Sequence, residues 1–180
     1  LRTKNITAKG RAPTVPPAKY TVYLKNEQSK IAVTAELRAK IRAAVRTALK
    51  YEGFEEPAEV SIVLTDNEGI RELNKLYRGK DAPTDVLSFP LYGPDEDIEI
   101  TEGERAELGD IVISLERAAT QAEEIGNTFE REVMFLCVHS VLHLLGWDHE
   151  TSKEDERAMI EEQKAIMAVL DSKMQKGQIS

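Results

Sequence analysis

Between Val133 and Leu145 the chain places nine large apolar side chains around a handful of polar ones. No face of a helix built from this stretch is polar enough to be left to water, so most of its surface must be enclosed. That requirement constrains the fold more than any other feature, because a central helix needs sheet or helices on several sides. The polar residues it carries then sit in an apolar setting, and two of them are histidines. All three histidines of the 180-residue chain fall within eleven residues, as His139-Ser-Val-Leu-His143-Leu-Leu-Gly146-Trp-Asp148-His149.

Residues four apart on an α-helix lie on one face, one turn above the other. His139 and His143 can therefore present two imidazoles to one metal ion. Gly146 stands where the helix should end, and glycine readily takes the left-handed conformation that turns a chain back. Such a turn brings His149 round as a third nitrogen ligand. Three protein ligands with a fourth position open describe a catalytic zinc site, and apolar walls favour neutral imidazole. Asp148 either orients a ligand imidazole through a carboxylate–histidine contact or binds amides of the turn. Cys137 lies about 200° round the helix from His139, so it faces away and reads as a small buried hydrophobe. Trp147 is expected to pack.

The length suits one domain with a sizeable core. No stretch approaches the roughly 18 apolar residues needed to cross a bilayer, and no secretory signal is visible in the first twenty residues. A cytoplasmic location is the expectation, and the single Cys137 agrees with a reducing compartment. Net charge is -8, but residues 1–90 balance to +5 and residues 91–180 to -13. One face can thus be basic enough to meet a polyanion.

Residues 1–18, with Pro13, Pro16 and Pro17, are expected to be a flexible leader, and 175–180 a C-terminal tail. Between them, residues 19–174 form the expected domain. Strands are expected at 21–24, 60–64, 86–89 and 110–114, the third ended or marked as an edge by Pro90. Helices are expected from a Thr34 cap to Tyr51, from an Asp66 cap through Tyr77, and from Leu115 to Ile125 with Gly126 as the stop. Asn127 with Glu130, and Thr151 with Glu154, read as capping boxes for the histidine helix and for a long last helix to Met174. Residues 93–107 read as an acidic, exposed loop. The predicted fold is α/β (α+β): one mixed β-sheet of about four strands packed with about five α-helices. The first helix carries Arg38, Arg42, Arg46 and Lys50 on its outer face, either a solvated surface or one that steers a polyanion.

The spacing His-x3-His-x2-Gly-x2-His is also that of metzincin metalloproteases, which place a Glu directly after the first His as general base. Here Ser140 fills that position, and a hydroxyl is a poor base near neutral pH. Peptide hydrolysis is thereby the minority reading. Upstream, Arg78 leaves a helix end and enters a tight loop. Its planar guanidinium can hold two phosphate oxygens at once, or it can pair with the helix terminus, Asp81 or Asp85.

Together these segments resemble the YbeY family of bacterial metal-dependent endoribonucleases. The likeness runs from about residue 20 to 172. It rests on Asn74…Tyr77-Arg78…Thr84-Asp85-Val86-Leu87-Ser88-Phe89-Pro90, on Gly109-Asp110-Ile111, and on His139-x3-His143-x2-Gly146-x-Asp148-His149. The resemblance implies one Zn2+ ion held by His139, His143 and His149, with Arg78 and His139 as catalytic residues. It implies cleavage of single-stranded RNA, a role in rRNA maturation at the 16S rRNA 3′ end, and ribosome quality control. Ribosomal or small-subunit proteins are the expected partners. A ribosome-binding assembly factor with a structural metal is the remaining alternative.

Overall fold

The computed structural model describes residues 6–9, 19–93, 96–101, 103–147 and 152–179. In chain order the elements are β1 (Ile6–Lys9), β2 (Tyr20–Asn26), α1 (Ala35–Tyr51), β3 (Ala58–Thr65), α2 (Asn67–Arg78), β4 (Val86–Pro90), β5 (Ile98–Thr101), β6 (Ala106–Ser114), α3 (Leu115–Ile125), α4 (Phe129–Leu144) and α5 (Lys153–Gln175). The main sheet has the order β2-β3-β6-β4. Its first three strands are parallel and β4 runs antiparallel to β6. Parallel neighbours need a crossover, which α1 supplies between β2 and β3. The expected mixed four-stranded sheet with five helices is what forms.

Alternation along the strands divides the sheet's two faces. Val60, Ile62, Leu64, Ile111 and Ile113 join the large core with residues of α1, α4 and α5. Leu87 and Val112 point the other way, onto Ile70 of α2, with Leu73 and Phe89 alongside. Pro90 closes β4, the outer strand, where its missing N–H costs no sheet bond.

Helix α4 is enclosed as its composition demands. Val133, Met134, Val138, Val141, Leu142 and Leu144 are all 0% exposed. Each such side chain contributes about 1.5–3 kcal/mol of burial energy. Arg131 clamps α4 to α5, its Nε and Nη2 donating to the two Asp171 oxygens at 3.3 and 3.1 Å. Lys173 ties α5 to α1 by donating to Thr47 Oγ1 at 2.9 Å.

A β-bulge shapes the far end of the sheet. Val60 pairs with Gly109 while Glu59 pairs with Glu107, so Leu108 is the extra residue, and it drops into the core. Gly109 has φ +136, and a Cβ there would lie 2.2 Å from the Phe89 carbonyl oxygen and 3.1 Å from Leu144 Cδ2. Only glycine lets β4, β6 and the end of α4 meet so closely.

Four expectations change. The cap of α4 is Thr128, whose Oγ1 accepts the Arg131 N–H at 3.2 Å, and Asn127 instead donates to Glu132. The last helix is capped by Ser152, which accepts the Asp155 N–H at 3.1 Å. In both places the residue one step later has the extended backbone a cap requires. Segment 93–107 is not simply an exposed loop: Ile98 and Ile100 alternate inward as β5 and are buried, and Ala106 already starts β6. β5 pairs in parallel with β1, so residues 6–9 of the expected leader are extended strand. Among the described residues, no helix is long and apolar enough to cross a membrane.

Candidate active site

One turn apart on α4, His139 and His143 turn their rings toward each other, with centroids 4.6 Å apart and planes at 77°. Their Nε2 atoms are separated by 3.1 Å. The opposite nitrogens are each held by a carbonyl oxygen: His143 Nδ1 lies 2.9 Å from Trp147 O, and His139 Nδ1 lies 3.3 Å from Gln163 Oε1. Carbonyl oxygens only accept, so the ring protons belong on Nδ1 and the Nε2 lone pairs face one another. Gln163 cannot turn its amide round without loss, because its Nε2 donates to Phe135 O at 3.1 Å.

Two facing lone pairs repel unless a cation lies between them. Ligands bound tetrahedrally at about 2.0–2.1 Å place their nitrogens roughly 3.3 Å apart, close to the separation seen here. The donor set and its outer hydrogen bonds therefore fit a metal ion. His149 and Asp148 lie outside the described residues, and within those residues no group of three potential ligands gathers.

The turn that ends α4 is closed by Gly146 at φ +91 and by the Trp147 N–H, which donates to Leu142 O at 3.0 Å. Trp147 does more than pack. Its indole Nε1 donates to Glu52 Oε2 at 2.9 Å, at the C-cap of α1, while its carbonyl holds His143. Burial, joined by the nearby Glu162 carboxylate, pushes the Glu52 carboxyl up to about 7 against the lowering effect of the Trp147 bond. α1 is thus tied to the turn that orients one histidine.

Ser140 is 0% exposed and its Oγ has no hydrogen-bond partner among the described residues. It points into the core and is in no position to act as a general base. Cys137 is likewise buried, and burial pushes its thiol up to about 12, so it is inert at neutral pH.

Arg78 is the last residue of α2 and is exposed, followed by Gly79 in the left-handed conformation at φ +68. The two carboxylates that the sequence offered it are engaged elsewhere. Asp81 takes Arg71 at 2.6 Å and Lys75 at 2.9 Å, and those cations hold its carboxyl below the usual range. Asp85 accepts the Val86 N–H at 2.8 Å, the Thr84 hydroxyl at 3.1 Å and Gln121 Nε2 at 3.0 Å. Among the described residues Arg78 makes no ion pair with either of these two and no hydrogen bond to His139 or His143. Asn74, one turn before it and buried, donates to Ala82 O at 2.7 Å and so fixes the loop that Arg78 enters.

Gln163 and Glu52 escaped sequence reasoning. Gln163 had a readable signal: it interrupts the apolar stripe Met159, Ile166, Met167 and Leu170 on α5, and a buried amide there needs a partner. Glu52 follows a helix end and carries no such mark.

The endoribonuclease YbeY family profile matches residues 23–171. An endoribonuclease YbeY from Acetivibrio thermocellus is 46% identical over 158 residues, covering 83% of this chain and 96% of that protein. One from Clostridioides difficile is 48% identical over 149 residues, covering 82% and 95%. The solution structure of TM1509 from Thermotoga maritima superposes with a TM-score of 0.60 at 26% identity, over 87% of this chain and 93% of that one. Relatives this similar over nearly their whole length, on the fold and histidine helix described above, show that this chain belongs to the endoribonuclease YbeY family.

Proposed function

We propose that this protein is a zinc-dependent, single-strand-specific endoribonuclease of the cytoplasm, acting in rRNA maturation at the 16S rRNA 3′ end and in ribosome quality control. The catalytic domain is residues 19–174. The observation that carries the metal reading is the pair of Nε2 atoms 3.1 Å apart, each ring held from behind by a carbonyl oxygen. His139, His143 and His149 would hold the zinc ion. Bound there, the ion supplies Lewis-acid stabilisation of negative charge on a phosphate oxygen.

The chain's own residues do the rest. Gln163 and the Trp147 carbonyl hold the Nδ1 side of each ring and so aim both Nε2 atoms at the ion's position. Arg78, its neighbouring carboxylates already occupied, offers its fork to the phosphate and to the charge that grows there in the transition state. A buried Ser140 hydroxyl in the position of a protease's glutamate speaks against peptide hydrolysis. The reading is tested by zinc analysis together with cleavage of single-stranded RNA by the wild type, Arg78→Ala and His143→Ala.

A further inference from the structure

Helix α2 ends with more apolar surface than its packing uses. Ile70 and Leu73 bury against the sheet, but Leu76 is 72% and Tyr77 62% exposed. Tyr77 lies one turn beyond Leu73, on the sheet-facing side, and overhangs the outer strand β4. There its ring meets Phe89 edge-on, with centroids 5.0 Å apart and planes at 65°. An edge-on pair fixes a ring's orientation while leaving a face open. Tyr77 makes no hydrogen bond among the described residues that would explain its place.

Two further observations give this pair a setting. Arg78 follows Tyr77 directly, and Lys80 follows at the turn, both exposed and without an ion pair among the described residues, because Asp81 is taken by Arg71 and Lys75. Phe89 also adjoins the histidine helix through its backbone. A Cβ on Gly109 would strike both the Phe89 carbonyl and Leu144, the residue after His143. The aromatic pair and these two cations thus lie together where α2 ends beside β4, and the backbone of Phe89 in that strand approaches the end of α4 across Gly109.

We infer that Tyr77, braced by Phe89, is a stacking platform for an unpaired nucleobase of the RNA, set beside Arg78. The inference rests on the endoribonuclease reading. An aromatic ring with adjacent cations suits single-stranded nucleic acid, because every base has a π-face and every nucleotide a phosphate. In a duplex those faces are covered by neighbouring base pairs, so the platform selects single strands.

The test uses the full zinc-loaded chain and a short 2′-O-methylated single-stranded oligonucleotide, which separates binding from cleavage by 2′-hydroxyl attack, with the all-ribose strand for turnover. Tyr77→Phe keeps the ring, Tyr77→Leu keeps apolar bulk without it, and Tyr77→Ala removes both. Fluorescence anisotropy should show Tyr77→Phe within about twofold of the wild type, and the other two weaker by about 5- to 150-fold. On the all-ribose strand KM rises with them and kcat changes less, and affinity for duplex RNA stays put. Tyr77→Leu binding as tightly as Tyr77→Phe, or Tyr77→Ala as tightly as the wild type, overturns the platform while a cleaving wild type leaves the enzyme reading intact. A wild type that neither binds nor cuts single strands overturns both.

Discussion

Gln163 Oε1 stands 3.3 Å from His139 Nδ1, and the same amide donates to Phe135 O at 3.1 Å, so a residue of α5 sets the tautomer and ring angle of a histidine on α4. Loss of such an outer partner costs about 10- to 100-fold in metal affinity. Gln163→Leu should weaken zinc binding by that amount, read by competition with a chromophoric chelator. Gln163→Glu, which keeps an acceptor facing His139, should lose less. Wild-type affinity in Gln163→Leu would show that the amide is only a packing element.

Arg78 is assigned to the substrate and not to the metal. Arg78→Ala should lower kcat/KM on single-stranded RNA by about 10²- to 10³-fold, the usual cost of removing one preorganised charge-stabilising donor. Zinc content should not change. Arg78→Lys restores the charge without the bidentate fork and should recover only part of the loss. Equal activity of Arg78→Ala and wild type would return the residue to the solvated surface.

Glu52 predicts a pH dependence of stability. Burial first, then Glu162, raises its carboxyl from 4.5 to about 7 in the folded chain. Between those values the folded state binds more protons than the unfolded state, so its stability falls as pH rises. The favourable contribution is complete below about 4.5 and is lost as pH passes about 7. Glu52→Gln keeps an acceptor for Trp147 and removes the titration. Urea unfolding at about pH 5 and about pH 8 should show a smaller fall in stability for this variant than for the wild type. Identical falls would mean that Glu52 titrates normally.

Much of this was legible in the chain because the physics behind it is local. The all-round apolarity of 133–145 gave the buried α4, the four-residue spacing placed His139 beside His143, and Pro90 marked the outer strand. Caps at Thr34 and Asp66 and the stop at Gly126 stand where their chemistry put them. What escaped depends on distant partners. Strand β5 is two isoleucines among acidic residues, and it becomes a strand only by pairing with β1. At Thr128 and Ser152 the cap falls one residue later than expected, where the backbone is extended and the side chain accepts an N–H of the first turn. Whether Asp81 would pair with Arg78 or with Arg71 and Lys75 was decided by how the loop after Gly79 folds back. Gln163 meets His139 only because α5 returns across α4.

The central claim, that the histidine pair belongs to a zinc site which cuts RNA, is tested most directly on one preparation of the full chain. Metal analysis and single-stranded RNA cleavage are measured before zinc removal, after it, and after zinc is restored, with His143→Ala alongside. The account predicts about one zinc per chain, cleavage that disappears and returns with the ion, and neither zinc nor cleavage in His143→Ala. Stoichiometric zinc in a wild type that never cuts RNA above the background of His143→Ala would contradict it, and would leave the metal with a structural role.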